Sequence, residues 1–335
     1  MGETKRVFAY DALKVLATFL VVFYHTKMLD LGYREGVYYY PNLSQLISLF
    51  TACGVPLFFM VNGALTVRRD YDLKKTAIKA ARCVFIGYIW GVAMQCVMAI
   101  RYHDMSVFSL YNNCYWFMYT LAMLYVVKYV LNKLPHWVRW VAVFALLVYP
   151  FLNNLIWDFT ALVGNNYGIH WRRTGLFTLY SVVFLYTGDY LAHHYKQISK
   201  WVLVLAGVVG YGLLVVQVIA AVNFMHRPFE GGNYCFPTIG ALLLSVALFA
   251  WGMEMQLKEG WLKRYVLFLA NNSLGIYMIH MLVMAIAATL FPQIIELDFS
   301  LNPILVAVIC LINMTLSAGI SEAIRSTRAG FLLKL

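Results

Sequence analysis

Apolar residues run along this chain in blocks of roughly twenty, separated by short polar and charged stretches. A helix needs about 20 mostly apolar residues to cross a bilayer. Windows of that kind fall near 7–28, 44–66, 83–101, 115–132, 138–156, 175–193, 201–222, 236–253, 265–290 and 303–322. The fifth is the least regular, because Pro150 and Asn153–Asn154 interrupt it. The charges between the windows set an orientation. Lys5, Arg6, Arg68, Arg69, Lys74, Lys75, Lys79, Arg82, Lys128, Lys133, Arg139, Lys196, Lys200, Lys258, Lys263, Arg264, Arg325, Arg328 and Lys334 fall on one side, which is 19 of the 26 Lys and Arg. Lys27, Arg34, Arg101, Arg172, Arg173 and Arg227 fall on the other, and Lys14 lies within a window. Basic residues favour cytoplasmic loops. The expected fold is therefore all-α, a polytopic membrane bundle of about ten transmembrane helices with both termini cytoplasmic. It fills 1–335 as a single integral-membrane domain with no fused periplasmic domain.

Composition agrees. Hydrophobic residues make up 62% of the chain and charged ones 12%, against about a quarter charged in a soluble domain. The net charge of +11 reflects basic cytoplasmic loops rather than a nucleic-acid surface. The first window is too long for a cleavable signal peptide and lacks a small-x-small site after it. Cys53, Cys83, Cys96 and Cys310 sit in apolar segments as small hydrophobes. Cys114 and Cys235 lie near outer helix ends, where a disulfide between them is an open alternative. The six cysteines show no metal-ligand spacing, and no metal is expected.

The first window carries Asp11, Lys14 and His25, and ionisable groups at membrane depth face polar cavities or the bundle interior. Lys14 and His25 are eleven positions apart, which puts them on one helix face with roughly 16 Å of rise between them. His280, in the ninth window, is expected at similar depth by residue count. A neutral imidazole can take a proton from a hydroxyl or accept an acyl group as a nucleophile. Ser273, Tyr277 and His280 follow i, i+4 and i, i+3 spacing and line one side of their helix.

Other stretches carry further candidates. In RRDYDLKKTAIKAAR, residues 68–82, the cations up to Lys75 fit the positive-inside rule alone. Lys79 and Arg82, one helical turn apart at the bundle mouth, form a pair able to hold phosphate groups. In GVPLFFMVNGAL, residues 54–65, Pro56 bends the helix. Asn62-Gly63 either admits close backbone packing or supplies an amide to a ligand. The outer loops YREGVYYYPN, LVGNNYGIHWRR and NFMHRPFEGGNY offer interfacial anchors or a sugar-stacking surface. Glu254, Glu322 and Asp189 near inner helix ends are expected to pair with basic residues. Phosphate-loop, dinucleotide, zinc-protease and serine-hydrolase motifs do not occur.

These residues resemble the acyltransferase family 3 membrane proteins. DALKVLATFLVVFYH, residues 11–25, looks like that family's opening helix with its Arg-x10-His motif. GVPLFFMVNGAL resembles its G-x-x-x-F-F-x-x-S/N-G segment. Lys79-Ala-Ala-Arg82 occupies the place of its Arg-x-x-Arg motif. Tyr115-Trp116-Phe117 resembles its Leu-Trp-Phe, and the run from Asn272 to His280 resembles its S-x-G-I-Y-x-I-H. Five segments in the same order span residues 6–291. Two positions depart: Lys14 stands where the family has arginine, and Cys114 where histidine commonly precedes Leu-Trp-Phe.

The resemblance implies transfer of an acyl group, often acetyl, from cytosolic acyl-CoA to a hydroxyl on an extracytoplasmic or lipid-linked glycan of a bacterial cell envelope. The chain would lie in the cytoplasmic membrane. By position, His25 and Lys14 would be catalytic, and Lys79, Arg82 and Asn62 would bind acyl-CoA. Asp11, Trp116, Ser273, Tyr277 and His280 would line the acceptor path. Acyl-CoA enters as a cosubstrate, with no tightly bound cofactor. Its pantetheine arm, roughly 15–20 Å extended, matches the axial spacing of Lys14 and His25. The alternatives are a transporter or flippase for a polysaccharide intermediate, and a structural partner of a synthase, which leaves the membrane-embedded Lys14 without a role.

Overall fold

The computed structural model describes residues 6–27, 33–34, 37–38, 43–69, 71–104, 115–152, 155–156, 179–219, 237–291 and 303–333. The three aromatic outer loops lie outside these residues, apart from the backbone of a two-stranded ribbon, Tyr33–Arg34 paired antiparallel with Val37–Tyr38. Cys114 and Cys235 lie outside them too.

The architecture is helical. In chain order the helices are α1 Phe8–Lys27, α2 Leu43–Ser48, α3 Gly54–Thr66, α4 Leu73–Tyr102, α5 Trp116–Lys133, α6 His136–Leu147, α7 Tyr180–His194, α8 Lys200–Ile219, α9 Ile239–Met253, α10 Trp261–Asn271, α11 Ser273–Leu290 and α12 Pro303–Arg325. A final 3-10 turn spans Arg328–Leu333. Six stretches among the described residues are long and apolar enough to cross a membrane: Phe8–Thr26, Leu46–Thr66, Leu73–Tyr102, Lys200–Gln217, Ser273–Leu290 and Pro303–Arg325. The chain is a multi-pass membrane protein.

Several elements differ from the sequence windows. The second window bends through a 3-10 stretch, Leu49–Cys53, and Pro56 sits in the first turn of α3. There a missing N–H costs nothing, because that turn has no intrahelical acceptor for it. The fifth window runs as α6 and then widens into a π-helical turn, Val148–Leu152, around Pro150. The window 265–290 is two helices rather than one, broken at Asn272. The side chain of Asn272, 2% exposed, donates to the Phe268 carbonyl and to Glu322, and accepts from Ser321. An asparagine used this way turns the chain instead of continuing it. α4 begins ten residues before its apolar window, capped by Asp72, whose carboxylate accepts the Lys75 N–H at 2.6 Å.

α1 is the axis of the bundle. It packs against α3, α9, α10, α11 and α12, and Ala17 on it is completely buried. α3 and α7 cross in close contact. A Cβ on Gly63 would fall 1.8 Å from the Leu185 carbonyl oxygen, and one on Gly188 would fall 2.0 Å from that of Met60. The Asn62-Gly63 pair therefore serves helix packing through its glycine. The acidic residues do pair with cations: Arg68 with Asp189 at 3.1 Å, Lys200 with Glu254 at 3.4 Å and Arg325 with Glu322 at 4.0 Å.

Candidate active site

Among the described residues, three groups of polar side chains hold the candidate site residues. The first joins α1 to α11. His25, five turns into α1, meets His280, two turns into α11, with ring centroids 5.1 Å apart. His280 is 1% exposed, and its Nδ1 lies 3.0 Å from the Ile276 carbonyl. Only an N–H can face a carbonyl oxygen, so Nδ1 carries the proton and Nε2 keeps its lone pair. Nε2 of His280 and Nδ1 of His25 are both buried without a hydrogen-bond partner among the described residues. Buried polar atoms are nearly always satisfied, and two unpartnered nitrogens on neighbouring rings can together hydrogen-bond a ligand's polar atom. The Tyr277 ring sits between those of His280, at 6.0 Å, and Phe117, at 5.0 Å, tilted to both. Tyr115 donates to the Met278 carbonyl at 2.8 Å, which ties α5 to α11 behind the pair. Asn313 of α12 donates to the His280 carbonyl at 3.3 Å and accepts from Ser317.

The second group lies at the start of α1. Asp11, 4% exposed, accepts from Arg6 at 2.5 Å and faces Lys14 at 3.6 Å. Arg6 continues to the Asn271 side chain at 2.8 Å, linking α1 to α10. Lys14 is thus held by Asp11, and one carboxylate shared between two cations leaves the cluster with one positive charge in excess.

The third group is a cleft, partly open to solvent, lined by Lys75, Ile78, Lys79, Arg82 and Tyr125. Lys79 donates to the Tyr71 hydroxyl at 3.3 Å and lies over the rings of Tyr71 and Tyr125, at 4.6 and 5.4 Å. Arg82 donates to the Phe331 carbonyl at 3.2 Å. Neither cation forms an ion pair among the described residues, whereas the neighbouring Lys75 pairs with Asp72 at 3.6 Å. The side chain of Asn62 accepts from Thr66 at 3.1 Å and neighbours Tyr125 of the cleft lining.

A family model for the acyltransferase domain, acyltransferase family 3, matches residues 7–322. The chain belongs to acyltransferase family 3. No curated protein and no solved structure matches it. As a member of that family it is a membrane acyltransferase of the O-acyltransferase type.

In this acyltransferase the structure brings His25, His280 and Tyr277 together, and it brings Lys79 and Arg82 together with Asn62 behind them. Lys14 and Asp11 form their own pair, and the cleft lining includes neither Lys14 nor His25. Trp116 is the half-buried first residue of α5 and packs on the core. Ser273 is the half-buried first residue of α11, two turns below His280.

One residue was missed by sequence reasoning. Lys128, counted by its charge with the cytoplasmic-side cations, lies inside α5 and is 2% exposed. Its ammonium donates to the Thr66 carbonyl at 2.8 Å and the Arg69 carbonyl at 3.1 Å, and sits 4.3 Å from the centre of the Tyr71 ring. The signal was present: Lys128 follows Val126-Val127 and precedes Tyr129-Val130-Leu131, an apolar setting unlike a loop.

Proposed function

We propose that this acyltransferase moves an acetyl group from acyl-CoA, bound on the cytoplasmic side, to a hydroxyl of an extracytoplasmic or lipid-linked glycan. On this reading the chain crosses a bacterial cytoplasmic membrane about ten times with both termini inside. Acyl-CoA is its cosubstrate, and no tightly bound cofactor takes part. The observation that carries the reading is the His25–His280 pair with its two vacant, buried nitrogens.

The chemistry follows from that geometry. An acceptor hydroxyl enters the histidine pair and hydrogen-bonds to an imidazole lone pair. His25 takes the hydroxyl proton as the oxygen attacks the thioester carbonyl. The C–S bond breaks, the acyl group stays on the sugar oxygen, and the thiolate recovers a proton as free CoA. His280, its Nδ1–H fixed on Ile276, presents Nε2 beside His25 and shares the developing positive charge. Lys79 and Arg82 take the CoA phosphates, which matches two cations with no carboxylate among the described residues and a cleft beside them. On this reading the Lys14–Asp11 pair, near the start of α1, orders the path of the pantetheine arm towards His25.

Mass spectrometry of surface glycans tests this. Cells carrying the gene add acetyl groups, cells lacking it do not, and a His25→Ala copy fails to restore them although the protein accumulates. Full restoration by that copy removes His25 from the mechanism. A flippase would change the amount of exported glycan and leave its acetylation untouched.

A further inference from the structure

The 3-10 turn Arg328–Leu333 folds back from α12 onto α4 at the level of the cationic cleft. Two side chains of α4 grip consecutive carbonyls of this turn. Arg82 donates to the Phe331 carbonyl at 3.2 Å, and the indole N–H of Trp90 donates to the Leu332 carbonyl at 3.3 Å. The rings of Phe85 and Phe331 stack at 6.4 Å, and Leu333 is buried. The turn is fixed at its other end as well. The Gly330 N–H bonds to the Thr327 carbonyl at 3.1 Å, and a Cβ on Gly330 would lie 2.7 Å from the Arg325 carbonyl oxygen.

We propose that this turn sets the aim of Arg82, and that Trp90 is a positioning residue for acyl-donor binding. The proposal rests on the reading of Lys79 and Arg82 as the donor site. A guanidinium is a rigid planar fork with five N–H donors. Spending one of them on a fixed carbonyl leaves its plane defined and the rest available to the cleft that Arg82 lines. An unanchored arginine would hold many rotamers and lose entropy on gripping a phosphate, whereas an anchored one binds preorganised. Trp90 is 8% exposed, two turns along α4 from Arg82, and outside the cleft lining. It acts only by holding Leu332, and through it the carbonyl that Arg82 needs.

The test measures acetyl transfer from acetyl-CoA to the native glycan acceptor in membrane vesicles, with acetyl-CoA varied, for the full chain and three variants. Trp90→Phe keeps an aromatic ring but loses the N–H. A second variant ends at Thr327 and removes the turn. Arg82→Ala reports on the donor site itself. Trp90→Phe and the shortened chain are expected to raise the KM for acetyl-CoA about tenfold, equivalent to one charge-assisted contact, with kcat within about twofold. The melting temperature without ligand shows that each variant is folded. A raised KM in Arg82→Ala beside a wild-type KM in Trp90→Phe and the shortened chain overturns the inference and leaves the donor site standing. A fall in kcat with unchanged KM overturns it too, because that marks a general packing defect. Wild-type acetyl-CoA binding in Arg82→Ala overturns the donor site, and the inference with it.

Discussion

The imidazoles of His25 and His280 touch across the interface of α1 and α11, and each keeps one buried nitrogen vacant among the described residues. Two helices separated by almost the whole chain in sequence thus deliver two proton-accepting groups to one point. Asn313 and Ser317 hold the His280 backbone from behind, so the pair sits on rigid elements rather than on a loop.

If His280 supports proton transfer, His280→Phe keeps the ring volume and removes both nitrogens. Transfer is expected to fall by about 10²–10³, within the range for loss of acid–base assistance, while the KM for acetyl-CoA stays within about twofold. Steady-state kinetics in membrane vesicles check this, and an unchanged kcat assigns His280 to packing alone.

Lys79 lies in the cleft between the Tyr71 and Tyr125 rings without a carboxylate partner among the described residues. Acetyl-CoA is expected to raise the melting temperature of detergent-purified wild-type protein. Lys79→Ala should weaken that binding by roughly tenfold to a hundredfold, since a charged hydrogen bond contributes about 1.5–3 kcal/mol. Lys79→Arg, which keeps the charge, should retain most of the shift.

The crossing of α3 and α7 leaves no room for a methyl group. A side-chain carbon on Gly63 meets backbone rather than a flexible side chain, so the two helices must separate to admit it. Gly63→Ala is expected to destabilise the fold by about 3 kcal/mol or more. Thermal melting in detergent measures this, and Gly319→Ala, which has open space at its Cβ, serves as the neutral comparison.

Lys128 donates to two part-buried carbonyls, that of Thr66 at the end of α3 and that of Arg69 just beyond it. Lys128→Met removes both bonds; the Thr66 carbonyl keeps its bond from the Arg69 N–H, while the Arg69 carbonyl loses the lysine donor, at about 1–3 kcal/mol. The variant should melt lower than wild type, and because Tyr71 loses the cation beneath its ring, it should also bind acetyl-CoA less tightly. An unchanged melting temperature would make Lys128 a dispensable filler.

Much of this could be read from the chain beforehand. Each apolar window contains a helix, because twenty apolar residues leave the backbone few other ways to satisfy itself in lipid. That His25 and His280 lie at similar depth was also legible, though their contact was not, and the residue count behind the depth was not sound. It assumed a continuous helix over 265–290, and the break at Asn272 places His280 only two turns into α11. Such a break depends on Ser321 and Glu322, fifty residues away in sequence, and a local pattern carries no sign of them. Lys128 was misread for a different reason. The positive-inside rule counts charges near helix ends and cannot tell a loop lysine from one that caps a neighbouring helix. The anchoring of Arg82 by Phe331 joins residues 249 apart through a backbone carbonyl, which no side-chain motif encodes.

The central claim is that His25 performs the proton transfer of acyl transfer within the membrane. Purified protein in liposomes, given acetyl-CoA labelled in the acetyl group and a lipid-linked glycan extract, tests it most directly. Wild-type protein should move label to the glycan. His25→Ala should bind acetyl-CoA with wild-type affinity and move label at least 10³-fold more slowly, at the upper end of what a general base contributes. Label transfer by His25→Ala at the wild-type rate would contradict the account.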